Sequence, residues 1–243
     1  MTFLIVARMV WFLLLFAPMP RPARKDLLGD GGCYVHLVYR CHNGDFLLNE
    51  AAKHFLYKLL LAFKAIYCVK IHEYVFMDNH IHLVLFFNST VLLSKFMQKV
   101  FSMLATFINK QLKRSGRVFG ERPKTPVIED REYFWNTAMY ISRNPLRAGI
   151  CDKPQHYKWS GFRHYAYGEK DPLIDEAPEY VGLSKSPAMR RKIFQKMARS
   201  SKHRNEKRRP EMSTWYFIGD GAWIRAMMIE RGFLKPPKPP GST

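Results

Sequence analysis

His80 and His82 stand two residues apart in the stretch Met77-Asp78-Asn79-His80-Ile81-His82-Leu83-Val84-Leu85. On a β-strand alternate side chains share a face, so both imidazoles point one way while Ile81, Leu83 and Leu85 point into a core. Two neutral imidazoles side by side make half of a divalent-metal site; the plainer reading is two surface histidines on a half-exposed strand. Sixty residues on, Tyr140 and Asn144 are four apart and share one face of a helix. A tyrosine hydroxyl can act as a nucleophile and an amide oxygen can complete a hard-cation site, although tyrosines on helices more often simply pack.

The elements that must position these residues follow from pattern. Cys33 to Cys41 reads as a first strand, rich in Tyr, Val and Leu. Asn43-Gly44-Asp45 is a turn signal, and Asn49 with Glu50 opens a helix running to about Tyr67, with Phe55, Leu59, Ala62, Phe63 and Ile66 as its core stripe. Val69 to Met77 and His80 to Phe87 are strands two and three. Asn88-Ser89-Thr90 caps a second helix over Val91 to Leu112, with Phe96, Val100, Met103 and Phe107 on its apolar face. Arg117 to Pro126 is a basic loop, and Thr125 to Ile128 a fourth strand. Asp130 caps a third helix over Arg131 to Arg147, closed by Gly149. The order strand, helix, strand, strand, helix, strand is the α+β ferredoxin-like split βαβ core, one antiparallel sheet with two helices on one face. The third helix is then free to cross the open face, where His80 and His82 project.

The 243 residues carry 39 Lys+Arg against 20 Asp+Glu, a formal charge of +19. That surplus attracts polyanions, with nucleic acid the leading partner and an anionic membrane surface the alternative. The four cysteines show no CxxC spacing and fit a reducing compartment, so a cytoplasmic, nucleoid-associated location is expected. Phe3 to Phe16 is apolar apart from Arg8, short of the ~20 residues of a membrane span and without a clear cleavage site after it. An anchor, a signal segment and a true start at Met19 all fit residues 1–18; the last is favoured, and membrane association is not expected. Trp159, Phe162, Tyr165 and Tyr167 cluster among basic residues, Lys185 to Arg209 reads as a charged helix or linker, and Trp215 to Met228 as a small terminal helix.

Met77-Asp78-Asn79-His80-Ile81-His82-Leu83 followed by Tyr140-Ile141-Ser142-Arg143-Asn144-Pro145-Leu146-Arg147-Ala148-Gly149 resembles the single-tyrosine HUH transposases, in particular their REP-associated tyrosine transposase branch. The similarity runs from Met19-Pro20-Arg21 through His36 to Arg40 and on to Trp159-Ser160. The resemblance implies a ferredoxin-like core that nicks and rejoins single-stranded or hairpin DNA, and a catalytic helix carrying Tyr140 as the nucleophile. It implies His80, His82 and Asn144 as ligands of Mg2+ or Mn2+, a 5′-phosphotyrosine intermediate, and no nucleotide cofactor. A free phenol titrates near ~10, so the attacking oxygen has to shed its proton to bound water, a base or solvent. Position suggests Arg114, Arg117, Arg122, Lys124, Arg143 and Arg147 as the cations that hold DNA phosphates. Two departures stand out: Asp78 where proline is common, and Phe119-Gly120-Glu121 in place of Trp-Gln before an Arg, which bears on target recognition.

The expected organisation is an apolar segment over 1–18, the HUH domain over 19–170, a basic helical C-terminal extension over 171–235 and a disordered tail over 236–243, in a monomer or homodimer. Three rival readings are a DNA-binding protein derived from a transposase that no longer cuts, a membrane-associated basic protein, and a nuclease that uses metal-activated water.

Overall fold

The computed structural model describes residues 32–199 and 216–234; the apolar segment, the Met19 lead-in, most of the basic stretch after Arg199, and the tail lie outside them. β1 spans Cys33–Arg40, α1 Glu50–Lys64, β2 Val69–Phe76, β3 His80–Phe87, α2 Thr90–Gln111 and β4 Val127–Ile128. These build the split βαβ sheet, all neighbours antiparallel, in the order β2-β3-β1-β4. A two-residue strand, β5 (Phe217–Ile218), adds to β4 in parallel and makes the α+β sheet five-stranded.

Register sorts the two faces. His82 lies opposite Val38 on β1 and Val75 on β2, and His80 opposite Arg40. The other face carries Tyr39, which packs on Phe101 of α2, and Tyr74, whose ring lies 6.4 Å from Tyr57 of α1. α1 and α2 therefore cover the face of Ile81, Leu83 and Leu85, all fully buried. α1 starts where expected, the Asn49 side chain accepting from the Ala52 N–H at 3.0 Å, but it ends at Lys64. Its core stripe is Ala52, Leu56, Leu59 and Leu60, which shares Leu59 with the expected one; Phe55 and Phe63 sit at the core's margin, and Ile66 is 66% exposed. The run of Leu, Phe and Tyr around this helix leaves phase ambiguous until the sheet selects a face. α2 buries Leu93, Phe96, Met97, Val100, Leu104 and Ile108, while Met103 and Phe107 sit at its margin. Among the described residues it is the one helix long and apolar enough to cross a membrane, and here its apolar side lies on the sheet.

The third helix is two helices. α3 covers Arg131–Ser142, capped by Asp130 accepting from the Tyr133 N–H at 3.0 Å, and α4 covers Asn144–Arg147. Pro145 accounts for the break: it lacks an N–H, and its ring collides with the carbonyl four residues back. α3 lies on the second face of the sheet, Phe134 packing against Tyr34 at 5.2 Å between ring centroids.

Beyond α4 the chain returns to the core. Residues 159–161 run along the free edge of β2, where Phe76 N–H donates to the Trp159 carbonyl and Gly161 N–H to that of Tyr74. α5 (Phe162–Tyr167), α6 (Pro178–Val181) and α7 (Pro187–Arg199) follow. α7 is strongly basic outside, yet Phe194 is fully buried against Phe162, Tyr165 and Tyr180. The expected charged helix is thus amphipathic and docked, and the aromatic cluster is its seat. Asp171 accepts from both Tyr57 and Tyr74 hydroxyls at 2.7 Å, so this stretch is bolted to α1 and β2. α8 (Gly221–Glu230) closes the described chain.

One buried carboxyl ties α3 to the sheet. Glu73 accepts from Tyr74 N–H at 2.9 Å, Gly161 N–H at 3.1 Å and Ser142 Oγ at 3.2 Å. A Cβ at position 161 would lie 2.5 Å from Glu73 Oε1, so glycine there permits the approach. Burial pushes Glu73 up to about 8, against the lowering effect of those three hydrogen bonds. A folded-state value above the unfolded one means stability is complete below the unfolded value of 4.5 and is lost as pH rises through about 8. Glu73→Gln keeps the oxygen for the two N–H groups and offers its amide to Ser142, mimicking the neutral form. Thermal melts should show wild type losing Tm relative to this variant between about pH 5 and pH 8; parallel pH profiles would refute the assignment.

Candidate active site

The hairpin between β2 and β3 is fastened at several points. Met77 N–H donates to the His80 carbonyl at 2.8 Å, and the carbonyls of Asp78 and Asn79 accept from Leu48 and Cys41 N–H groups at 2.9 and 2.8 Å. The Asp78 side chain accepts from the buried ammonium of Lys53 at 2.5 Å, so this acidic residue anchors α1 to the turn. Asn79 orients the first histidine: its Nδ2 donates to the Gly44 carbonyl at 3.2 Å, which leaves Oδ1 facing His80 Nδ1 at 2.5 Å. Because that oxygen can only accept, Nδ1 carries a proton, and in its neutral form His80 would present a lone pair at Nε2.

His80 Nε2 lies 3.4 Å from Asn144 Oδ1. In the neutral imidazole both atoms are acceptors, an arrangement that a cation between them would reconcile. Bonds of 2.0–2.2 Å at right angles place neighbouring ligand atoms about 3 Å apart, close to this spacing. His82 is 2% exposed, its Nε2 is buried without a hydrogen-bond partner among the described residues, and its ring stands perpendicular to that of His80 at 4.9 Å. Burial, then the neighbouring charges of His36, His80 and Arg40, holds His82 well below the usual imidazole range, so it is neutral, as a ligand must be. Among the described residues no three His, Cys, Asp or Glu side chains converge on one point; a metal here would rest on two imidazoles and an amide. The donors fit that role.

Tyr140 reaches the same place from α3. Its ring centroid lies 5.8 Å from His82 and 6.1 Å from His36, edge-on to both, and the residue is 9% exposed. The guanidinium of Arg147 lies over the ring at 4.9 Å. Tyr140, His80, His82, Asn144 and Arg147 are therefore gathered within one site although 60 residues separate the strand from the helix. Two residues absent from the sequence-based site, Asn79 and His36, belong to it; His36 Nε2 lies 2.9 Å from His82 Nδ1. The alternation of Tyr34, His36, Val38 and Arg40 on β1 placed His36 on this face, but nothing local marked it as a partner.

The basic residues divide. Arg122 is exposed and, with Lys124, Arg40 and His42, lines a cavity of about 290 Å³ at the end of β1 beside His80. Arg117 is exposed at the mouth of a second cavity of about 380 Å³, between α2 and the 116–123 loop, with Tyr39, Phe101 and Gln98. Arg114 braces that loop, donating to Asn109 Oδ1 at 3.2 Å and the Arg117 carbonyl at 3.1 Å. Arg143, expected among the phosphate contacts, is 4% exposed and donates to the Ala198 carbonyl at 2.8 Å. It closes the C-terminal end of α7.

Comparison with known proteins bears on this arrangement. Residues 31–123 match the IS200-like transposase family. That transposase match covers His36, His80 and His82 and ends before α3, so the helix with Tyr140 and Asn144 lies outside it. Among solved structures, one described as the REP-associated tyrosine transposase bound to a REP hairpin aligns with a TM-score of 0.46 at 13% identity, over 67% of this chain and 93% of that one. No curated protein matches.

The two placements make separable predictions for two arginines. Arg143→Ala should cost about 1 kcal/mol of stability, by leaving the half-buried Ala198 carbonyl unmet, and leave the salt dependence of any DNA binding unchanged. Arg122→Ala should leave the melt unchanged and reduce the slope of log K against log salt by about one contact. The reverse pattern would refute the division.

Proposed function

We propose that this chain is a single-stranded DNA nicking and strand-joining transposase with Tyr140 as nucleophile. The observation that carries the reading is the approach of the Tyr140 ring to two buried imidazoles of the paired strands β1 and β3. A divalent cation, magnesium or manganese, held by His80, His82 and Asn144 would supply Lewis-acid polarisation of the scissile phosphate. Histidine ligands make manganese a good choice in vitro.

The chain's own groups do the rest. Tyr140 Oη attacks phosphorus, the P–O3′ bond breaks, and the chain holds a 5′-phosphotyrosine. The phenolic proton passes to water or a base as the departing 3′ oxygen takes one up. Attack by a 3′-hydroxyl on the phosphotyrosine reverses the step and joins strands without ATP, since the phosphodiester bond energy is retained. Arg147, exposed beside Tyr140, and Arg122 with Lys124 near the end of β1 would hold the flanking phosphates. A hairpin with a short unpaired element is the substrate this reading favours.

A second reading, a DNA-binding protein derived from a transposase, draws on the depth of Tyr140, nine-tenths covered by its neighbours. One experiment separates them: incubation with Mn2+ and labelled single-stranded DNA from repeats flanking the gene, run on denaturing gels. Wild type should yield a protein–DNA adduct, lost in Tyr140→Phe and His80→Ala. Nicking without adduct would assign the cut to activated water, and binding without cutting would support the second reading.

A further inference from the structure

We propose that the cavity between α5, α7 and the turn at Pro154–His156 is a stacking subsite for one unpaired nucleobase of single-stranded DNA, with Tyr167 as its platform. The inference rests on the DNA-binding part of the reading above and not on the cut. The cavity holds about 340 Å³, and Lys153, Gln155, Phe162, Tyr167, Gln195 and Arg199 are among its lining. Pockets that take small ring-bearing ligands start near ~300 Å³. No acidic residue lines it among the described residues.

Of the aromatics clustered between residues 159 and 167, Trp159, Phe162 and Tyr165 are committed to packing, each no more than 5% exposed. Tyr167 is 44% exposed, and its ring meets Phe162 edge-on at 6.3 Å between centroids. A tyrosine that lines a cavity and keeps this much surface in water offers a π-face that the fold does not use. The walls are fixed, because α7 is docked on α5: Gln195 Nε2 donates to the Ala166 carbonyl at 2.6 Å, and Phe194 stacks on Tyr165. The Gln195 amide oxygen is left as an acceptor for the amino edge of a base. Arg190 turns inward over the Tyr180 ring, whereas Lys192, Lys196 and Arg199 are exposed at helical spacing. That cationic ridge ends at the cavity, with Lys153 on the turn, so phosphates flanking a stacked base meet positive charge. The Ala198 carbonyl, on the same lining, accepts from Arg143, the neighbour of Asn144. Lys153 follows Arg147 by six residues, a stretch that spans at most about 22 Å. A strand held at Arg147 beside Tyr140 therefore reaches the cavity within a few nucleotides. Duplex DNA, whose bases are already stacked on one another, can use the ridge but not the platform.

The test uses the full chain in EDTA, so that no cutting intervenes. Binding would be measured against labelled single-stranded DNA from the repeats flanking the gene, and against the same sequence as duplex. Tyr167→Ala should weaken single-strand binding by about fivefold or more, the low end for one stacked base, and leave duplex binding unchanged. Tyr167→Phe should keep the affinity, and Lys153→Ala should lower the single-strand salt slope by about 0.7. With 5-iodouracil in place of thymine, irradiation should label the wild-type peptide that carries Tyr167. Equal single-strand affinity of wild type and Tyr167→Ala, or equal losses on both probes, would overturn the subsite and leave the DNA reading standing. Labels confined to other peptides would overturn it as well, without any variant. Absence of binding by wild type to either probe would remove the DNA reading, and this inference with it.

Discussion

The pairing of β1 with β3 is the constraint on which the site depends. Eight residues of each strand are in register, and the same ladder buries Leu37 against Leu83 on one face while bringing His36 and His82 into diagonal contact on the other. A slip of one residue would exchange the faces, exposing the leucines and driving the imidazoles into the core under α1 and α2. The apolar face therefore enforces the polar one. Because all three histidines come from these two strands, their spacing is set by backbone hydrogen bonds and does not rely on loops.

The opposing half of the site is held by different means. α3 has few positions free of contact, since Phe134 through Ser142 are all buried, so its long axis is fixed by packing. Its C-terminal end is fixed by Glu73, which gathers Ser142, β2 and the edge segment at Gly161 around one carboxyl. The break at Pro145 then redirects the chain. Spacing of four on a helix brings Asn144 near Tyr140 in a simple reading; in the structure Asn144 opens a separate short helix, and that offset carries its amide toward His80. The C-terminal helix α7, with Phe194 at its centre and Arg143 at its end, backs this corner from outside.

Much of this was legible in the chain. Alternation in β3, the side-chain caps at Asn49 and Asp130, and the order of elements reflect local rules, and local rules are visible along a sequence. What stayed hidden depends on partners far away. His36 in an apolar strand looks like any half-buried residue until His82, 46 positions later, is brought beside it. Arg143 reads as a surface cation beside a tyrosine, and only the docking of α7 shows that it is enclosed. The stripe of α1 was misphased because Phe55 and Leu56 are equally apolar, and contact with the sheet chooses between them. β5 is two residues long, too short for a period to register.

The distribution of charge across the site follows from what burial permits. A cation sealed in an interior pays a desolvation penalty that an exposed one escapes. The interior of the site is built of imidazoles, amides and a phenol, with His82 held uncharged by its surroundings. The lasting positive charges, Arg40, Arg122 and Arg147, stand at the exposed rim, where on the proposed reading a phosphate would meet them before it loses its water. Such a layout places the long-range attraction outside and the short-range geometry inside. Binding should then depend strongly on salt, while positioning at Tyr140 depends on the rigidity of the paired strands and the packed helix above them.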